Sequence, residues 1–275
     1  MDDKPSRHWP EYLIEAAGLG LFMFAACVVV AALEHPASPL HAWAGSPLQR
    51  CALIGIAMGL TAVALIYSPW GQRSGAHLNP ALTLTFWRLG KIETRDALGY
   101  VAAHFAGTVA GVALATELIG AAVLSHPAVG GVVTVPGAGG WAVAFAAEAG
   151  LAFGMMGVVL VMSNSRRANR WTGAVAGALV ALYITVAAPL SGMSMNPART
   201  FGTALWAQVW TAIWVYFTAP LLGMGAAAAL YTRLRGASAV LCCKLHHDNG
   251  QRCIFRCRWG EAYRELPADR IRRTA

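Results

Sequence analysis

Charge is what this chain of 275 residues has least of: Asp, Glu, Lys and Arg make up 12% of it. A soluble domain carries about 25%, so the deficit excludes an ordinary soluble globular protein. Acids are scarcer than bases, 13 against 21, and Glu15 and Glu148 are the two that fall in mid-span positions. A convincing secretory signal is also missing. The chain opens on Asp2 and Asp3, places Glu15 inside the first apolar run, and continues as a full-length span. Cys27 after Phe24, Ala25 and Ala26 is a poor lipoprotein box. Residues 125–140 form a Gly, Pro and Val loop without a single Asp, Glu, Lys or Arg.

Apolar sequence fills the space that charge leaves. Hydrophobic residues make up 57% of the chain, and mean hydropathy is +0.51. Abundant Gly and Ala suit close helix packing in lipid. Runs at 11–33, 51–69, 97–123, 141–162, 171–189 and 209–231 are each long enough to cross a bilayer, which takes about 20 residues. The expected fold is therefore all-α, with six transmembrane helices. Two further apolar runs, 80–89 and 197–207, are too short to cross.

Those short runs begin at two versions of one pattern. Ser74-Gly75-Ala76-His77-Leu78-Asn79-Pro80-Ala81 and Ser191-Gly192-Met193-Ser194-Met195-Asn196-Pro197-Ala198-Arg199 both read SG-x-x-x-NPA. Asn caps a helix, and Pro at the first helical position gives up an N–H that has no partner there anyway. Each pattern predicts a half-helix entered from a non-helical loop. Such backbone is tolerated at membrane depth only if buried in protein or lining a water-filled cavity.

Basic residues cluster in the N-terminus, around Arg88 to Arg95, in 164–170 and in the tail. The positive-inside rule then places both termini in the cytosol of a cell (inner) membrane protein. The first half-helix enters from the cytosol and the second from outside, which is the signature of an inverted repeat. The repeats span about 11–123 and 141–232 of a channel unit 11–232, flanked by a cytosolic N-terminus 1–10 and a tail 233–275. Within residues 233–275, ten bases face four acids. Beside a membrane span that charge is read as orientation and lipid contact, not nucleic-acid binding.

Two half-helices meeting from opposite faces direct positive N-terminal ends at the centre, which repels cations and protons. Asn79 and Asn196 each offer an amide NH₂ there. Extended backbone before them offers carbonyls of Gly75, Ala76, His77, Gly192, Met193 and Ser194 as an acceptor ladder. Donors and acceptors of this kind replace the hydration of a neutral solute. The predicted activity is passive passage of water and small uncharged solutes, with no catalysis and no cofactor for transport. Glu15 and Glu148 are expected to accept N–H groups of the loop in their own half. The rival role is a proton-relay carboxylate, which would make the chain an ion-coupled secondary transporter. His77 is expected to be held by its own loop. Glu117 is expected to snorkel at the end of its span.

SGAHLNPALT and SGMSMNPART, with Arg199 and the two glutamates, resemble the aquaporin (major intrinsic protein) family over about residues 9–232. That resemblance implies a right-handed six-helix bundle with two half-helices, one pore per protomer and a homotetramer. It also implies an aromatic/arginine filter, whose positions here fall on Arg199, Ile184, Met193 and either Met58 or Gly59. Ile184 stands where strict water channels typically have His. Thr200 stands where glycerol facilitators typically have Asp. The apolar set Met58, Ile184 and Met193 implies a filter softer than a water-only one, similar to the plant and bacterial branch that passes glycerol, metalloids or other small neutral solutes.

The tail lies outside that pattern. Asn249-Gly250 is a hairpin signal that would bring Cys and His pairs together. A cytosolic setting argues against disulfides. The ligand types suit tetrahedral Zn²⁺, with Cys243, His247, Cys253 and Cys257 as the predicted set. The rival is reduced or palmitoylated cysteine beside a basic surface. A membrane-anchored metal or redox sensor acting through this tail is the third functional alternative.

Overall fold

The structure is a computed structural model describing residues 8–264. The outer parts of the expected N-terminal segment and tail, residues 1–7 and 265–275, lie outside the described residues. Among the described residues, six helices are long and apolar enough to cross a membrane. They are α1 (Trp9–Glu34), α2 (Pro47–Tyr67), α4 (Thr94–Ile119), α5 (Gly140–Ser163), α6 (Thr172–Ser191) and α8 (Ile213–Arg235). The half-helices are α3 (Pro80–Arg88) and α7 (Pro197–Ala207). At about 1.5 Å per residue neither can cross a core about 30 Å thick. No strand occurs among the described residues.

Sequence punctuation sets these boundaries. Ser46 and Gln49 form a reciprocal capping box at the start of α2. Asn79 and Asn196 cap α3 and α7, each followed by Pro. The third span ends at Gly120, earlier than residue 123, and a separate turn Ala121–Leu124 follows. Gly120 has φ 100, a conformation that breaks the helix there.

The spans pack in pairs through small residues. A Cβ on Gly107 of α4 would sit 2.1 Å from the Ala16 carbonyl oxygen of α1. On α8, a Cβ on Gly223 would sit 2.1 Å from that of Ala149 on α5. Gly59 and Gly177 bring α2 and α6 together in the same way. In lipid no hydrophobic force separates helix from solvent, so close backbone approach supplies the packing energy. Leu21, Ile56, Leu114, Leu182 and Leu222 point outward and are exposed, as lipid-facing positions require. Glu117 is also exposed.

The spans alternate in direction, so loops 68–79, 89–93 and 164–171 share one face of the bundle with the tail. Residues 35–46, 120–139 and 192–212 lie on the other.

Candidate functional site

Each loop enters through a left-handed glycine. Gly75, at the end of the short helix Pro69–Ser74, has φ 98, and Gly192, at the end of α6, has φ 74. The loops are not extended as the sequence suggested. Ala76, Leu78, Met193 and Met195 also have positive φ, at 54, 48, 43 and 51. Left-handed backbone costs non-glycine residues roughly 1–2 kcal/mol each, so something must hold it.

The buried carboxylates hold it. Glu15 Oε1 accepts from Ser74 Oγ at 2.6 Å and His77 N at 3.1 Å. Its Oε2 accepts from Leu78 N at 2.7 Å and His104 Nε2 at 2.8 Å. Glu148 Oε1 accepts from Ser191 Oγ at 2.7 Å and Ser194 N at 2.9 Å, and its Oε2 from Met195 N at 2.6 Å. The two halves repeat further: Tyr100 donates to the Ser74 carbonyl at 2.6 Å and Tyr216 to the Ser191 carbonyl at 2.7 Å. Charge-assisted bonds of this kind are roughly twice as strong as neutral ones. They fix backbone that no helix or strand could.

At the centre the two asparagines are cross-tied. Asn79 Oδ1 accepts from Ala81 N at 2.8 Å, while its Nδ2 donates to the Met195 carbonyl at 2.8 Å. Asn196 Oδ1 accepts from Ala198 N at 3.1 Å and Arg199 N at 3.3 Å, while its Nδ2 donates to the Leu78 carbonyl at 2.8 Å. Each amide has two N–H groups, so one is spent locking the loops together and one is left over. A cavity of about 480 Å³ passes both asparagines. It runs from Val30, Cys51 and Val133 at one face to Ile66, Met224 and Leu245 at the tail face.

Met58, Ile184, Met193 and Arg199 all line this cavity. Gly59 does not. Its α-carbon packs against the Gly177 carbonyl oxygen, 2.5 Å from where a Cβ would be. Arg199 Nη1 is buried without a hydrogen-bond partner among the described residues. Of the expected ladder, Ala76, His77, Gly192, Met193 and Ser194 line the cavity and Gly75 does not. The Gly75 carbonyl is instead taken by Leu245 N at 3.1 Å. Sequence reading missed Leu78 and Met195, whose carbonyls the asparagines use, and Tyr100, His104 and Tyr216 behind the loops. Polar side chains within apolar spans were the available signal for the last three.

His77 is held by more than its own loop. Its Nδ1 lies 2.9 Å from Thr83 Oγ1 and its Nε2 3.0 Å from the Cys243 carbonyl of the tail. Its ring stacks between Phe86 and Phe255, at 5.5 and 5.4 Å.

The tail folds back over this face. Leu241 N donates to Asn164 Oδ1, and His247 N and Asp248 N both donate to Asn169 Oδ1. Two expectations are corrected there. Residues 249–250 reverse the chain without a strand ladder, through Gln251 N donating to Asn249 Oδ1 at 2.8 Å. Cys242, not Cys243, joins His247, Cys253 and Cys257, with all four ligand atoms within 4.8 Å of one another. Cys243 faces inward, its Sγ 3.6 Å from the Lys91 carbonyl. Burial pushes the Cys243 thiol up and the Lys244 ammonium down from their ordinary values. Hydrogen bonds from Cys242 and Cys253, and then from His247, hold the Cys257 thiol far below the usual thiol range, while the Cys242 and Cys253 thiols are raised.

A six-span bundle with two opposed half-helices and a cavity running past both of them defines a membrane pore protein. The sequence profile described as "Major intrinsic protein" matches residues 4–231, and the chain belongs to that family. Aquaporin NIP1-3 of Oryza sativa is 35% identical over 81% of this chain and 73% of its own length. Aquaporin NIP6-1 of Arabidopsis thaliana is 39% identical over 66% of this chain, a match spanning 57% of that relative. A probable aquaporin, AqpM, of Archaeoglobus fulgidus is 35% identical over 66% of this chain and 75% of its own. The X-ray structure of the aquaglyceroporin from Plasmodium falciparum superposes with a TM-score of 0.67 at 18% identity. That superposition covers 84% of this chain and 98% of the other, and it speaks for the fold.

Proposed function

We propose that the protein is a passive channel, not an enzyme, for water and small uncharged solutes of glycerol size, and that it excludes ions and protons. The observation that carries this is the pairing of the cross-tied Asn79 and Asn196 with a buried Arg199 whose Nη1 has no hydrogen-bond partner among the described residues. Two half-helix N-termini and a guanidinium on one cavity oppose any cation, while free N–H donors satisfy a solute's oxygens. Met58, Ile184, Met193 and Arg199 form the selective end, and the apolar three of them favour glycerol-like solutes beside water. The ion-coupled alternative loses support because both carboxylate oxygens of Glu15 and of Glu148 accept hydrogen bonds as loop anchors.

The functional form is a homotetramer with a pore in each protomer, in the cell (inner) membrane, with both termini cytosolic and membrane lipid around it. No cofactor takes part in transport. Stopped-flow light scattering of proteoliposomes tests the activity. Water and glycerol should equilibrate faster than in empty vesicles, with proton flux unchanged. Rates equal to empty vesicles for water, glycerol and urea in every preparation of the protein, metal-chelated included, would sink the channel reading.

A further inference from the structure

We propose that Cys242, His247, Cys253 and Cys257 form a tetrahedral Zn²⁺ site that holds the tail as a plug in the cytosolic mouth of the pore. The closure half rests on the channel reading above; the metal half does not.

The ligand set comes first. Cys242 Sγ and Cys253 Sγ lie 3.6 Å apart, and His247 Nε2 lies 3.0 Å from Cys257 Sγ. With Zn–S near 2.3 Å and Zn–N near 2.0 Å, a tetrahedral site has edges of about 3.4–3.8 Å, so small adjustments bring all four atoms onto one ion. Three sulfurs and one imidazole are a recurrent structural zinc set, and thiolates select a soft ion over Mg²⁺ or Ca²⁺. Trp259 N lies 3.4 Å from Cys257 Sγ as a donor, and the Trp259 ring stacks on His247 at 5.1 Å. Three thiolates on Zn²⁺ carry one surplus negative charge. Lys244 supplies a buried positive charge between the ligands, 1% exposed, with Nζ 2.6 Å from the Arg252 carbonyl.

The second observation is that the segment has no regular backbone structure of its own to hold its shape. Residues 240–258 contain no helix or strand, yet Val240, Cys243, Lys244 and Leu245 are buried. A metal is a common staple for short irregular chain, and here it would add to the hydrogen bonds that Asn164, Asn169 and Gly75 already give the segment.

The third is where this staple puts the chain. Leu245 follows the ligand Cys242 by three residues and precedes the ligand His247 by two. Its side chain lines the pore cavity and is 5% exposed. Its N–H occupies the Gly75 carbonyl, the cytosolic end of the expected acceptor ladder. Phe255, two residues before Cys257, stacks on His77. An apolar side chain at a narrow mouth blocks water by dewetting. Zinc binding thus orders both arms of the plug, and its loss frees them.

The experiment uses the full-length protein. Metal content of wild type, Cys253→Ser and Cys257→Ser is measured by plasma mass spectrometry, and cobalt-loaded wild type is examined by absorption. Water and glycerol permeabilities are then read in proteoliposomes, as purified, after chelation and after zinc is restored. About one zinc per protomer is expected in wild type, with loss in both variants and tetrahedral cobalt bands with thiolate charge transfer. Chelated wild type should conduct several-fold faster and return on zinc addition. Leu245→Ala should conduct faster with zinc still bound. Absence of zinc, iron or copper in its place, a Cys242–Cys253 disulfide, or an octahedral cobalt spectrum would overturn the site. Bound zinc with permeability indifferent to its removal would overturn the plug. Rates at the empty-vesicle level in every preparation, chelated included, would instead overturn the channel reading and the closure with it, while metal content still decides the site.

Discussion

His104 on α4 places Nε2 2.8 Å from Oε2 of Glu15 on α1, with both side chains fully buried, and no such partner reaches Glu148 among the described residues. The asymmetry has a simple cause. Tyr100 and Tyr216 occupy matching places on α4 and α8, but four residues onward α4 has His104 and α8 has Pro220, which offers no donor. Glu15 therefore accepts one more hydrogen bond than Glu148.

Replacing His104 by Ala removes that bond and leaves Oε2 of Glu15 with Leu78 N alone. Hydrogen bonds to charged groups contribute about 1.5–3 kcal/mol. His104→Ala should lower the thermal unfolding temperature of the purified protein in detergent, and water permeability should fall as the Leu78 carbonyl loses its place against Asn196. An unchanged unfolding temperature would show that His104 is a bystander.

Gly107→Val tests the small-residue packing of α1 on α4. Even the first added carbon would lie 2.1 Å from the Ala16 carbonyl oxygen, and backbone cannot yield as a side-chain tip can. Overpacking costs about 1–3 kcal/mol or more, and the expected result is poor recovery of folded protein in size-exclusion chromatography. Gly150→Ala is the control, because nothing lies within 4 Å of a Cβ there; wild-type recovery is expected.

Gly75→Ala should release the tail. The residue has φ +98, and its new Cβ would meet the Phe255 ring at 2.9 Å. Left-handed strain adds about 1–2 kcal/mol. Limited trypsin digestion should then cut at Arg252 and Arg256 faster than in wild type, and equal digestion rates would contradict the docked arrangement.

Arg199→Val removes the guanidinium from the cavity and widens it. Permeability to solutes larger than glycerol should rise by about tenfold, equal to a barrier lowered by about 1.4 kcal/mol. A panel of neutral solutes in vesicles measures it, and an unaltered profile would place Arg199 away from the constriction.

Much of this was legible beforehand, for reasons that differ by residue. The half-helices were readable because Asn-Pro-Ala is a cap followed by a first-turn proline, a local signal. Glu15 and Glu148 were readable because a mid-span carboxylate is costly enough to demand a partner. The conformation of the loops was not readable. Extended backbone was the simple expectation for Gly75 to His77, and only the carboxylates above them make left-handed Ala76 and Leu78 tolerable. Met58 could not be separated from Gly59 by counting, since the choice depends on which face of α2 meets Gly177.

The sequence by itself determined six spans, two capped half-helices, their opposite orientation and the residue types at the centre, because hydropathy, caps and charge act within a few residues of the chain. Tertiary structure alone decided that each asparagine ties itself to the opposite loop, that Cys242 replaces Cys243 beside His247, and that Leu245 comes to rest on Gly75. These contacts join residues more than a hundred positions apart, or hang on which way one side chain points in an irregular segment. No local rule specifies either; packing of the whole bundle does.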